Sequence, residues 1–227
     1  MLALLVVVAL AVIFGPQLWA RHILARHGQE RPDLPGTGAE LARHLLAGAR
    51  LADYGVERAN AGVGDHFDSE RRMVVLAPTH HDRRSLAAAV VAAHEVGHAL
   101  QHHLAYRPLL IRQRLVGMAS LAERIASVIL IAIPVVSLVT RAPGAAAALL
   151  LLAIGVMAVP ILVHLVTLPV EFDASFRRAL PILELGYLDR RDLPHARRIL
   201  TACALTYVAS ALARLLNFAR WLRVLRR

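Results

Sequence analysis

The pentapeptide His94-Glu95-Val96-Gly97-His98 carries the clearest chemical signal in this sequence. Its two histidines are four residues apart, so on a helix both imidazoles lie on one face and can reach the same zinc ion. Glu95 lies one step around that helix, where it can act as general base toward a water molecule that zinc activates. The pattern therefore predicts a hydrolytic zinc site with His94 and His98 as ligands and Glu95 as the catalytic base.

A third zinc ligand must come from another part of the chain, because catalytic zinc normally takes three protein ligands. Glu171 is the best candidate, since it opens a polar segment after an apolar run and the adjacent Pro169 would end or bend the helix there. His102 is two helical turns from His94, too far to bind the same ion. The remaining candidates are His103, His164, Asp173 and Asp189.

Further residues are candidates for supporting the ligands or positioning the substrate, namely Asp65, His66, Gln101 and Asp173. Residues 65–68 are predicted as a polar turn between two strands, with an alternative role as an edge strand that orients the substrate backbone. Asp173 lies roughly 200° from Glu171 around a helix, so it is predicted to hold a ring nitrogen of one of the two histidines rather than the metal.

Local patterns predict the elements that position these residues. A capping box at 37–40 begins one helix. Two short strands are predicted at 56–63 and 73–77, as a small hairpin or meander. Ser85 caps the next helix, which runs to about Leu104 and contains the pentapeptide. Small residues in this helix would let other elements pack close to it.

The sequence contains 57% hydrophobic and 19% charged residues, and its apolar residues come in long runs. This pattern indicates a membrane protein with a modest soluble part. Residues 2–20 could cross a membrane, and basic residues follow this run without preceding it, which predicts an uncleaved anchor. The runs at 126–139 and 145–168 predict a transmembrane helical hairpin. A helix at 194–225 is predicted to be amphipathic or interfacial.

The net charge of +10 does not indicate nucleic-acid binding, because the arginines are scattered or flank apolar runs and only 5% of the residues are aromatic. By the positive-inside rule, the basic residues after residue 20 and at Arg177 and Arg178 place the catalytic segment in the cytosol and the N-terminus outside. The single cysteine, Cys203, excludes an internal disulfide and a cysteine-based zinc cluster. The predicted partners are the lipid bilayer and protein or peptide substrates associated with the membrane.

Over almost its whole length the sequence resembles the YugP-type family of membrane zinc metallopeptidases. The stretches that carry this resemblance are residues 64–68, 85–101, 106–109, 167–175, 177–179 and 204–209. It implies zinc as the cofactor and peptidase activity, without identifying a substrate. Residues 171–175 are also similar to a segment of HtpX-like and CaaX-processing membrane proteases, which implies Glu171 as the third ligand. The aspartate found four residues later in those proteins is Ser175 here, so Asp173 is the candidate for its role.

The predicted fold is a mainly α membrane protein with a small α+β, zincin-like catalytic part. Its segments are an N-terminal anchor (1–20), a catalytic segment (21–118), a transmembrane hairpin (119–168) and a C-terminal helical segment that supplies the third ligand (169–227). The predicted function is a membrane-anchored zinc endopeptidase. Two alternatives stay open, a non-catalytic zinc-bound membrane scaffold and a site-2-type intramembrane protease. Site-2-type proteases take a zinc ligand from an L-D-G motif, whereas here Leu188-Asp189 is followed by Arg190.

Overall fold

The structure, a computed structural model, describes residues 2–141, 143–157 and 159–205. Within these residues the chain is mostly helical and contains one three-stranded sheet. The elements form two compact units: the first comprises the described residues up to Tyr106 and from Leu168 onward, and the second those from Arg107 to Thr167. The pentapeptide and Glu171 both belong to the first unit.

The helices of the described residues are, in chain order, α1 (Leu2–Arg26), α2 (Gly38–Gly48), α3 (Pro78–His81), α4 (Leu86–His103), α5 (Arg107–Thr140), α6 (Pro143–Met157), α7 (Val159–Phe172), α8 (Leu180–Ile182) and α9 (193–205). Two π-helical segments, π1 (Asp173–Ala179) and π2 (Leu183–Tyr187), flank α8. The helix predicted at 194–225 therefore falls partly on α9, and its residues from 206 onward lie outside the described part of the chain.

Side-chain caps fix the starts of the two helices that the sequence marks most clearly. The backbone N–H of Thr37 donates to Glu40 Oε2 over 2.8 Å, and Glu40 N donates to Thr37 Oγ1 over 3.2 Å, so the predicted capping box is confirmed at the start of α2. At the start of α4, Ser85 Oγ accepts a hydrogen bond from Ala88 N over 3.1 Å. Since α4 ends at His103, the prediction of a helix from Ser85 to about Leu104 is confirmed.

The sheet consists of β1 (Gly55–Arg58), β2 (His66–Asp68) and β3 (Met73–Leu76), with β3 in the centre. β1 pairs with β3 in parallel, and β2 pairs with β3 in antiparallel register. The two predicted strands, which correspond to β1 and β3, therefore pair in parallel and not as a hairpin, whereas β2 and β3, joined by residues 69–72, do form an antiparallel hairpin. Residues 66–68, predicted as part of a turn, form the edge strand β2, which is defined by its pairing with β3.

Helix α4 is the core helix of the first unit. Its residues from Leu86 to Ala99 are buried, and it packs against α2, β3 and π1. Leu41, Leu76, Val96 and Ile199 are among the fully or almost fully buried side chains of this core. The pentapeptide is thus enclosed by protein on several sides, which holds its side chains in fixed positions.

The membrane segments predicted from sequence all fall on helices where the structure describes them. Among the described residues, α5 is the helix whose length and apolar composition would allow it to cross a membrane. In the second unit α5 packs against α6. Helix α1 covers the predicted anchor, and Ala20 and Ile23 near its end are buried in the core of the first unit. A topology with several spans stays a prediction.

Candidate metal centre

Three buried side chains converge in the first unit, His94 and His98 from α4 and Glu171 from the end of α7. One potential ligand atom from each lies within 4.8 Å of the others. Glu171 Oε2 is 3.3 Å from His94 Nε2 and 3.4 Å from His98 Nε2. The Glu171 side chain is wholly inaccessible to solvent, so the three groups form an enclosed cluster.

The spacing and chemistry of this cluster fit a zinc ion. Tetrahedral zinc with ligand bonds of about 2.0–2.1 Å separates its ligand atoms by about 3.3–3.4 Å, which is the spacing found between Glu171 and each histidine. Two histidines and one glutamate are also a donor set found at catalytic zinc sites. The three residues therefore could hold zinc.

Hydrogen bonds on the far side of each imidazole orient the histidines for metal binding. His98 Nδ1 lies 3.0 Å from Gln101 Oε1, and an amide oxygen can only accept, so His98 donates from Nδ1. His94 Nδ1 lies 3.1 Å from Ser175 Oγ, whose hydroxyl can in turn donate to the Leu200 carbonyl over 3.5 Å. With a proton on Nδ1 of each ring, Nε2 is the atom left to bind a metal once any proton it carries is displaced, as zinc ligation requires.

Close backbone packing brings Glu171 to the two histidines. A Cβ atom on Gly97 would lie 2.7 Å from the Ala174 carbonyl oxygen, so only glycine lets π1 approach α4 this closely. The prediction that Gly97 allows close packing is thereby confirmed. Helix α7 continues through Pro169 to Phe172 and passes into π1, so the predicted end of the helix at the proline is wrong. Any change in direction at Pro169 stays a prediction.

The electrostatics of the cluster reflect burial and close opposite charges. Burial would lower the pKa of His98, but the facing carboxylate of Glu171 overcomes this and raises it to about 9. Burial would likewise raise the pKa of Glu171, yet the two imidazoles lower it well below its usual range. A cation bound between these groups displaces a proton, so zinc should bind more tightly as the pH rises.

Glu95 is a separate carboxylate, about 100° around α4 from His94. Its side chain is buried, and burial raises its pKa, whereas the imidazoles of His94 and His98 oppose that rise. A carboxyl group with a raised pKa binds a proton more strongly than an ordinary one. Glu95 is therefore a buried carboxylate on the helix that carries both histidines, with a raised affinity for a proton.

The Asp173 carboxylate is hydrogen-bonded to Gln101 and Arg178 and not to a histidine ring. Its Oδ2 atom accepts hydrogen bonds from Gln101 Nε2 over 2.9 Å and from Arg178 Nε over 2.6 Å. The predicted contact to a ring nitrogen is made by Ser175 for His94 and by Gln101 for His98. The signal in the sequence for this role of Ser175 is its place four residues after Glu171, where HtpX-like proteases carry an aspartate.

Asp65 is hydrogen-bonded to the segment that follows β3. Its Oδ1 atom accepts a hydrogen bond from Ala77 N over 2.8 Å, and its Oδ2 atom lies 2.8 Å from His80 Nδ1. The His80 side chain is only 13% exposed. His66 Nδ1 contacts the Gly64 carbonyl, 3.0 Å away, which shapes the turn before β2.

The other candidates for the third ligand are not part of the cluster found among the described side chains. His102 Nδ1 contacts the Tyr54 hydroxyl at 2.7 Å. His103 is exposed, and the Asp189 side chain is 71% exposed. His164 lies in α7, and its side chain falls outside what the structure describes.

A buried pair of helical histidines completed by a glutamate defines a class of site that belongs to zinc hydrolases. Comparison with known families agrees: the profile of the family described as "Putative neutral zinc metallopeptidase" matches residues 2–226, and the chain belongs to this family. The chain is also 32% identical over 222 residues to "Putative membrane protease YugP" of Bacillus subtilis (strain 168), covering 97% of this chain and 94% of that relative. No solved structure matches the chain. The family resemblance noted from the sequence is therefore confirmed.

Proposed function

We propose that this protein is a membrane-anchored zinc endopeptidase that cleaves membrane-associated proteins or peptides. The observation that carries the proposal is the convergence of His94, His98 and Glu171, with both Nε2 atoms facing the Glu171 carboxylate and Glu95 on the same helix. The family of the chain and the name of its Bacillus subtilis relative support the same function.

The residues of the site divide the chemistry of peptide hydrolysis among them. His94, His98 and Glu171 would hold the zinc ion, and bound zinc supplies Lewis-acid activation of a water molecule and of the substrate carbonyl. Glu95 accepts the proton of the attacking water and returns it to the leaving amine. Burial raises the pKa of Glu95, which makes its carboxylate a stronger proton acceptor.

The edge strand β2 offers a binding surface for an extended substrate. In the described part of the chain, β2 pairs with β3 on one side and has no strand on the other. The ring of Phe67 in β2 lies 5.6 Å from that of His102, one turn after His98 on α4. A peptide added to this edge would run beside the metal-binding helix, with main-chain hydrogen bonds that are independent of sequence.

The surroundings of α4 favour this function over site-2-type intramembrane proteolysis. That class carries its motif in a helix that spans the lipid, whereas α4 is buried among α2, β3 and π1. A non-catalytic scaffold would share the zinc ligands but would have no need of a buried glutamate such as Glu95 beside them. Activity measurements separate these possibilities.

Zinc content and metal-dependent proteolysis of the purified full-length chain test the proposal. We expect about one zinc per chain and cleavage of an unfolded protein substrate such as casein, with loss of cleavage on chelation and recovery when zinc is restored. His94→Ala should lose both zinc and cleavage, whereas His103→Ala, at an exposed position on the same helix, should retain both. Stoichiometric zinc without cleavage of soluble or membrane-embedded substrates would instead support the scaffold.

We propose further that the N-terminus lies outside the cell and that the catalytic segment faces the cytosol. The basic residues after residue 20 and at Arg177 and Arg178 support this orientation. In a Cys203→Ala background, the Arg141→Cys variant should react with an impermeant thiol reagent in intact cells. The His66→Cys variant should react only after the cells are permeabilised, and labelling of that variant in intact cells would overturn the orientation.

A further inference from the structure

A row of buried polar groups extends from His98 away from the metal cluster. Gln101 is fully buried, and its Oε1 atom faces His98 Nδ1 at 3.0 Å. Its Nε2 atom donates to the Val170 carbonyl over 2.8 Å and to Asp173 Oδ2 over 2.9 Å. Arg178 Nε donates to the same Asp173 oxygen over 2.6 Å. The row therefore runs from His98 through Gln101 and Asp173 to Arg178.

The orientation of the Gln101 amide decides which nitrogen of His98 can bind a metal. With the amide oxygen toward the ring, His98 carries its proton on Nδ1 and offers the Nε2 lone pair to the cluster. After a 180° flip the amide nitrogen would donate to Nδ1, the ring proton would move to Nε2, and that lone pair would be lost. The side of Gln101 away from the ring meets the Val170 carbonyl and the Asp173 carboxylate, both of which accept, so the amide nitrogen must point that way.

Asp173 can hold the Gln101 amide in this orientation only while a cation compensates its negative charge, because burying an unpaired carboxylate costs free energy. Arg178 is the cation that pairs with it in the part of the chain that the structure describes. Both side chains are shielded, with 16% of Arg178 and 8% of Asp173 exposed. The Arg178 guanidinium also lies 5.6 Å from the centre of the Tyr106 ring, a cation–π contact that holds it in place.

We propose that Arg178 is a positioning residue of the metal centre, which fixes the Gln101 amide through Asp173 and thereby holds His98 in its zinc-binding form. This inference rests on the proposed function, since it concerns the same zinc site. Arg178 is linked to His98 through two intervening side chains, those of Asp173 and Gln101. Its neighbour Arg177 is exposed and provides a matched control on the same segment.

The test is the zinc dissociation constant of the purified full-length chain, measured by competition with a chelator. Arg178→Met should weaken zinc binding by about 10-fold, the lower end of the effect of groups that orient metal ligands. Arg178→Lys should recover part of this loss because it keeps the charge, and Arg177→Met should bind zinc like the unmodified protein. The absorption spectrum of bound Co²⁺ should change in Arg178→Met and not in Arg177→Met, since a changed orientation of His98 alters the coordination geometry.

A double variant shows whether Arg178 acts through the charge of Asp173. Asn at position 173 can still accept from Gln101 without a charge, so Asp173→Asn with Arg178→Met should bind zinc no more weakly than Asp173→Asn alone. Additive losses in the double variant, or zinc binding by Arg178→Met equal to that of Arg177→Met, would overturn the inference while leaving the zinc site intact. Failure of the unmodified chain to bind zinc would instead remove the proposed function itself.

Discussion

Glu95→Gln should keep its zinc and its fold and lose at least about 100-fold in kcat, the scale on which general acid–base groups contribute. Glutamine has nearly the shape of glutamate, so the packing of α4 around this buried position should survive. It cannot accept a proton from the attacking water, so the chemical step alone should slow. The measurements are zinc content, thermal unfolding and kcat on one preparation.

Two results would contradict the assignment of Glu95 as general base. Loss of zinc from Glu95→Gln would place this carboxylate in the coordination shell or make it essential to the fold. Turnover close to that of the unmodified chain would remove it from the mechanism. Glu70→Gln, the same change at an exposed position between β2 and β3, provides the control for a general effect of a lost carboxylate.

The start, end and motif of α4 could be predicted from the sequence because their causes are local. Ser85 supplies the cap within three residues of its acceptor group, and the spacing of His94 and His98 follows from the helical repeat. Glu171, in contrast, lies 73 or more positions from these histidines in the sequence. Periodicity alone does not reveal such a contact. Glu171 could be predicted as the third ligand only from its position after an apolar run and from the resemblance to HtpX-like proteases.

The partners of the imidazole rings could not be predicted by the same reasoning. A helical wheel with 100° per residue directed Asp173 toward the histidines, but residues 173–179 form a π-helix, whose turns are wider. In that geometry Ser175 reaches His94 and Asp173 reaches Gln101. This segment packs against α4 at Gly97, and although a small residue there indicates close packing, it does not indicate which segment packs against it or that this segment is a π-helix.

The edge strand β2 is only an alternative in the sequence-based prediction, because three residues are too few to show an alternating pattern. It is defined by its pairing with β3 and by the contacts of Phe67 with the rings of Tyr54 and His102. Its contact with α4 agrees with the alternative prediction of an edge strand at residues 65–68. The use of its free edge by a substrate stays a proposal.

Glu171→Ala should weaken zinc binding by more than the 10- to 100-fold expected for a group that only orients a ligand. The alanine variant keeps both histidines but removes the oxygen that faces both Nε2 atoms at 3.3 and 3.4 Å. Two imidazoles alone leave zinc short of the three protein ligands of a catalytic site. Zinc stoichiometry and the zinc dissociation constant of the purified variant are the measurements, with Glu171→Gln as a second variant that preserves the packing.

Comparison with two other acidic residues makes the test specific for ligation. Asp173→Ala should weaken zinc binding by about 10- to 100-fold, because Asp173 acts on His98 only through Gln101. Asp189→Ala should have no effect, since that side chain is largely exposed. Full zinc occupancy with normal affinity in Glu171→Ala would refute the third ligand and transfer the assignment to His164 or Asp173. A graded loss, largest for Glu171 and absent for Asp189, is the pattern expected only if the carboxylate at the end of α7 completes the zinc site begun on α4.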